Sequence, residues 1–235
     1  MVTFLLSACG HKKVQSSVPA PPAIETPPRP APPPPAPAQP EGKEATKIPA
    51  DTKPLLVQTG VASWYGAPYH NRHTSNGEIY DMHALTAAHL TLPLGSVVRV
   101  TNIKTGHSTV VRITDRGPFV EGRLIDLSYA AAKEVDVWQP GIATVKLEVL
   151  STPVPLNQGG RWAVQIGGFD HKKEASELAD HLTRRYHTAK ITSFCSPVGA
   201  WWVRVRVLDD DRIRAQEVAH ATTTSEGAIF LVRLD

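Results

Sequence analysis

The sequence predicts two folded domains behind a long Pro-rich N-terminal segment: an all-β barrel first, then an α+β domain. Three observations carry this. Of the chain's 21 prolines, 14 fall between Pro19 and Pro54 and only 7 after that. From Leu55 to Thr152 the residues group into short β-branched runs with Gly and Pro at their junctions. From Gly160 to Asp235 the periodicity switches repeatedly between two residues and about 3.6 residues, the signature of strands alternating with helices.

The N-terminal segment comes first. A stretch rich in Pro and Ala and almost free of aromatic residues cannot bury enough apolar surface to offset its ordering entropy, so residues 10–54 are expected to be a disordered tether. About 45 residues at about 3.1 Å each would extend roughly 140 Å as polyproline II. Just before it, Leu6-Ser7-Ala8-Cys9 resembles the lipobox of bacterial lipoproteins, in which the Cys is lipidated and becomes the mature N-terminus. Phe4, Leu5 and Leu6 would be the stub of a signal-peptide core, and residues 1–9 read as a truncated signal peptide whose true start codon lies upstream. With Gly10 and His11 after Cys9, and no Asp, the sorting rule for that class implies the outer membrane, facing the periplasm.

Composition narrows the classes. The formal net charge of +3 is mild, and no basic run, zinc-knuckle spacing or helix-turn-helix pattern accompanies it, so a nucleic-acid partner is not expected. Two cysteines are too few for a disulfide framework. Cys195 closes a strand-like run, Thr192-Ser193-Phe194-Cys195, and reads as a small buried hydrophobe. His70, His73, His83, His89 and His107 raise the question of a metal, but no pair shows the i, i+4 spacing around a Glu that a zinc protease needs, so neither a metal nor a cofactor is expected.

In the 55–152 domain, residues 97–103 and 108–114 are β-branched runs joined by Lys104-Thr105-Gly106-His107, a hairpin signal. Leu127 to Val135 reads as a short helix, and Ala143 to Leu150 as a closing strand. Many short strands of this kind suggest a small closed barrel. Asp115 ends a strand and precedes the Gly117-Pro118 turn, and Glu78 follows the Asn76-Gly77 turn on an exposed loop. Asp126 is read as structural, a cap for the following helix. Trp64, Tyr65 and Tyr69 are candidates to stack on sugar rings, against the commoner fate of core packing.

Five blocks carry a resemblance: Gly60-Val61-Ala62-Ser63-Trp64-Tyr65-Gly66, Thr74-Ser75-Asn76-Gly77-Glu78, Thr86-Ala87-Ala88-His89, Asp115-Arg116-Gly117-Pro118-Phe119 and Ile125-Asp126-Leu127-Ser128. In this order and spacing they resemble the rare lipoprotein A family. The resemblance implies a six-stranded double-psi β-barrel, similar to those of expansins. It also implies a lyase activity: lytic transglycosylases of this family cleave peptidoglycan glycan strands stripped of stem peptides. Matching residue by residue puts Glu78, His89 and Asp115 on positions required for activity. Lytic cleavage needs one group that protonates the glycosidic oxygen and then takes the proton of the muramoyl 6-hydroxyl. Asp115 is assigned that acid/base role, with Glu78 and His89 positioning substrate or stabilising charge.

The last domain, residues 160–235, reads as strand, helix, strand, strand, helix, strand. Strands are expected at 161–168, 189–194, 200–208 and 228–234, and a second helix at 210–222. Asp170 is a plausible N-cap for a first helix marked by Ala175, Leu178, Ala179, Leu182 and Tyr186. In the run from Trp201 to Val207 the odd positions are apolar and should face the helices, leaving Trp202, Arg204 and Arg206 on an open face with Gln165. Truncating Trp202 is therefore expected to weaken glycan binding without opening a cavity.

Residues Trp162 to Phe169 and Trp202-Val203-Arg204 resemble the SPOR domain, a ferredoxin/RNP-like βαββαβ fold that binds peptide-denuded glycan at division sites. That resemblance places substrate-binding residues at Gln165, Gly168, Trp202 and Arg204; the family often has Ser at the position of Gly168. The whole reads as a monomeric, lipid-anchored septal transglycosylase that produces 1,6-anhydro ends, acts in daughter-cell separation and works near division proteins, with exo- and endo-cleavage left open. A non-catalytic peptidoglycan-binding lipoprotein is the alternative.

Overall fold

The computed structural model describes residues 52–156, 159–224 and 226–235. The lipobox, Cys9 and the Pro-rich segment lie outside the described residues. Six strands close a barrel in the order β1-β5-β2-β4-β3-β6: β1 Leu56–Tyr65, β2 Thr86–Ala88, β3 Val97–Asn102, β4 Ser108–Asp115, β5 Arg123–Ser128 and β6 Ala143–Ser151. The pairs β1–β5 and β2–β4 are parallel and the other neighbours antiparallel. Alternation explains the core: Val98 and Val100, Val111 and Ile113, Ile125 and Leu127, and Val145, Leu147 and Val149 all point inward and are fully or almost fully buried. The β3–β4 hairpin turns where expected, with Gly106 at φ +78, a left-handed conformation that favours glycine.

Helix α1, Tyr129–Glu134, begins two residues later than the sequence suggests. Leu127 and Ser128 stay extended because they pair with Trp64 and Tyr65 of β1. The cap is the Ser128 hydroxyl, which accepts from the Ala131 amide, and Asp126 is not a cap at all: it lies within β5.

After ten connecting residues, 152–161, a second sheet forms in the order β10-β7-β9-β8, antiparallel throughout: β7 Trp162–Phe169, β8 Lys190–Cys195, β9 Trp201–Arg206 and β10 Ala228–Arg233. Helices α2, Lys172–Arg185, and α3, Arg212–Ala221, cover one face. The N-cap of α2 is His171, with no side-chain cap bond, and not Asp170, while Asp211 caps α3 by accepting from the Arg214 amide. The face assignment from alternation holds: Val203, Val205 and Val207 pack under the helices with Trp201, while Trp202 points to the other side. That other side, however, is not open. Trp202 is 7% exposed and Gln165 2%, because the sheet docks on the barrel. Cys195 does end β8, but it is exposed, since β8 is the edge strand of the sheet.

Candidate functional site

The site grows from three neighbouring strands, at the ends of β2 and β4 and within β5. Ala88 of β2 is in register with Asp115 of β4 on one side and Asp126 of β5 on the other. Strands lie about 4.8 Å apart, so the two aspartates flank Ala88 at backbone positions roughly 10 Å from each other. All three residues line one cavity of about 480 Å³, within the size range of small-ligand sites. Gly117, at φ +142, carries the chain across the same floor in a conformation that disfavours any side chain.

The two carboxyls have different surroundings. Asp115 Oδ1 accepts from the Ser75 amide at 3.0 Å, the Ser75 hydroxyl at 2.5 Å and the Arg116 amide at 2.7 Å. Asp126 sits deeper: its side chain is 15% exposed, it accepts from the Ser63 hydroxyl, and Arg123 Nη2 lies 3.6 Å from its Oδ2. Burial raises the Asp126 pKa, and the Ser63 hydrogen bond and Arg123 only partly oppose that. The sequence held the signal for this residue in Ile125-Asp126-Leu127, where alternation between two buried apolar neighbours sends Asp126 to the opposite face.

Glu78 and His89 do not line the cavity. Glu78 forms a two-pronged ion pair with Arg112, at 2.7 and 2.8 Å, and the Arg112 hydrogen bonds hold its carboxyl below the usual range. Its main-chain oxygen accepts from the Thr74 amide at 2.8 Å, so the pair ties the 74–78 loop to β4 and thereby sets Ser75 against Asp115. His89 is 4% exposed. Its Nδ1 accepts from the Thr91 and Leu92 amides, both at 3.1 Å, which makes it the neutral Nε2–H tautomer. Burial pushes its pKa down to about 3. Its amide donates to the Asp115 main-chain oxygen at 3.1 Å, so its action on the site runs through the backbone.

Tyr65 and Tyr69 reach the cavity, Tyr65 stacked on Tyr80 with ring centroids 4.3 Å apart. Trp64 does not: it packs on Tyr129 and the barrel core. The opposite wall of the cavity comes from the second sheet. Arg204 donates to Gln165 Oε1 at 2.8 Å and lies 5.2 Å over the Phe194 ring. Trp202 packs against Phe119 of the barrel, centroids 5.2 Å apart. Of the four expected sugar-binding residues, Gln165, Trp202 and Arg204 line the cavity and Gly168 does not. The turn after β8, Ser196 to Val198, also lines it and carried no signal in the sequence.

A closed six-stranded barrel with two parallel strand pairs and two carboxyls at one cleft defines a double-psi β-barrel protein. Residues 57–147 match the family described as lytic transglycolase. The chain is similar to the protein named "Endolytic peptidoglycan transglycosylase RlpA" of Vibrio cholerae, 48% identical over 134 residues that cover 54% of this chain and 51% of the relative. The protein of the same name from Neisseria meningitidis is 48% identical over 124 residues, 51% of this chain and 52% of the relative. The chain thus spans about half the length of the curated relatives it matches. Among solved structures, a Streptomyces papain inhibitor aligns with 43% of the chain at a TM-score of 0.35 and 20% identity.

Proposed function

We propose that this chain is a lytic transglycosylase that cleaves the N-acetylmuramoyl–N-acetylglucosamine linkage of peptidoglycan strands lacking stem peptides. The supporting observation is the pair Asp115 and Asp126, two carboxyls in one cleft with contrasting surroundings. Contrasting environments fit two carboxyls at one cleft for different roles. The names of the relatives point to internal cleavage of the strand.

In this reading Asp126, desolvated and inclined to keep its proton, delivers it to the glycosidic oxygen as the bond from C1 to that oxygen breaks. The resulting carboxylate takes the proton of the muramoyl 6-hydroxyl, whose oxygen closes on C1. A 1,6-anhydro end forms, the proton is back on Asp126, and no water is consumed. Asp115, fixed by Ser75 and the Arg116 amide, steadies the positive charge that develops at C1. The motif match alone assigns the acid/base step to Asp115; the burial of Asp126 moves it to that neighbour. Glu78 and His89 are positioning residues, one bracing the Ser75 loop and the other holding the end of β4. Tyr69 offers a ring face, its phenol pKa raised first by burial.

The test is incubation of the purified chain with denuded strands and mass spectrometry of the products. New 1,6-anhydromuramoyl ends are expected. Binding without any such ends would replace the enzyme by the non-catalytic glycan-binding lipoprotein. The proposal includes a lipid anchor at Cys9 in the outer membrane, the tether reaching into the wall at the septum. Among the described residues no helix is long and apolar enough to cross a membrane. Expressed with a complete signal peptide, Cys9→Ser should appear as a soluble periplasmic protein; pelleting with membranes would place the anchor elsewhere.

A further inference from the structure

The second sheet does more than sit beside the barrel. The Arg233 amide donates to the Leu90 main-chain oxygen at 3.0 Å, and the Leu94 amide to that of Asp235 at 3.1 Å. Arg116, in the turn that follows Asp115, is 7% exposed and reaches the same Asp235 oxygen at 2.7 Å while also holding the His89 and Leu92 carbonyls of the barrel. Phe119, Trp202 and Phe230 close an apolar cluster across the joint. The Nη1 and Nη2 donors of Arg116 clamp barrel and sheet together, while its buried Nε has no partner among the described residues. The ten-residue connection from β6 to β7 limits how far the sheet can stray, and barrel and sheet form one compact unit.

We propose that the second sheet is a wall of the cleft in which the barrel acts, so that one stretch of glycan is held by Trp202, Arg204 and the Ser196–Val198 turn while Asp115 and Asp126 face it from the other side. This rests on denuded glycan being the ligand, as proposed above. Two independent modules joined by a linker would instead engage a strand at separate places. Here the residues that hold the sugar and those that act on it share one cavity, with Tyr69 and Arg72 on the barrel side and Phe194 and Val198 on the sheet side. The sheet then determines which sugars reach the carboxyls, and glycan binding cannot be tuned without altering cleavage.

The native thiol of Cys195 lines this cavity from the sheet side and is exposed, which makes it a probe. In the full chain carrying Cys9→Ser, the rate of Cys195 modification by a bulky maleimide is measured with and without denuded glycan strands, together with amide hydrogen exchange at Leu94 and Arg233. Docking predicts slow exchange at both amides. Glycan should slow the modification, and Arg72→Ala, a surface change on the barrel side, should weaken that protection roughly tenfold. Exchange at Leu94 and Arg233 as fast as in exposed turns would overturn the proposal. So would glycan protection of Cys195 that is unaffected by Arg72→Ala, since the sheet would then bind alone. If the chain produces no anhydro ends, the lytic reading fails, and the thiol protection still decides whether the cleft is shared.

Discussion

The two walls of the cleft are built on different principles. On the barrel side the cavity's carboxyls and its 74–78 loop are each held by a specific brace: Ser75 and the Arg116 amide on Asp115, Ser63 and Arg123 on Asp126, the Glu78–Arg112 pair under the loop. On the sheet side the cavity-lining groups project from within a strand, and simple alternation aims them: Val203 and Val205 turn to the helices, so Trp202 and Arg204 turn to the barrel. A braced wall places charge finely and fails when one brace is cut. A wall built by alternation tolerates change at its rim but depends on what covers it.

The comparison predicts its largest effect at Asp126, the second carboxyl lining the cavity. Asp126→Asn removes the proton at nearly constant shape and should lower cleavage by about a hundredfold to ten-thousandfold, measured as 1,6-anhydro ends per enzyme. Asp115→Asn should cost less, with binding retained. If Asp115→Asn is the more severe of the two, the acid/base role returns to Asp115.

His89 gives a second test of the braced wall. Its folded pKa of about 3 lies below the unfolded value near 6.5, so the unfolded chain binds more protons between these limits. Stability from this residue is complete above pH 6.5 and drains away as pH falls toward 3, a loss on the order of 5 kcal/mol at about 1.36 kcal/mol per pH unit. Thermal unfolding against pH should be flatter in His89→Asn, whose amide oxygen can still accept from Thr91 and Leu92. Equal slopes in parent and variant would mean the imidazole is accessible to protons in the folded state.

On the sheet side, Trp202→Ala was expected from alternation to leave stability alone. Packed against Phe119 and Phe230 and 7% exposed, it should instead cost about 3 kcal/mol, read as a lower unfolding midpoint and faster amide exchange at Arg233. An unchanged midpoint would mean that the face is free in solution. The smallest effect belongs to Glu78→Gln. The pair with Arg112 is about two-fifths exposed on each side, so its loss should cost about 0.5–1 kcal/mol. If the brace works through Ser75, kcat should fall several-fold with KM little changed, and the reversed pair Glu78→Arg with Arg112→Glu should recover part of it. A matching drop when substrate binding alone is measured would place Glu78 on the sugar instead.

What the sequence determined alone follows from local rules. Alternation placed β3, β4, β6 and all four strands of the second sheet, aimed Trp202 away from the helices, and put Glu78 on an exposed loop after Asn76-Gly77. The short strand β2 and the extended end of β5 escaped it, because three residues carry no period and Leu127-Ser128 owes its conformation to partners on β1. Asp126 was misread for a related reason: a carboxylate ahead of a helix looks like a cap unless its strand pairing is known. Only the tertiary structure decided that Asp126 joins Asp115 across Ala88, that His89 and Glu78 lie outside the cavity, and that the Trp202 face is covered. Each of these depends on contacts between residues distant in the chain, where burial sets proton affinity and exposure, and no local pattern encodes burial by a neighbour that arrives from another domain.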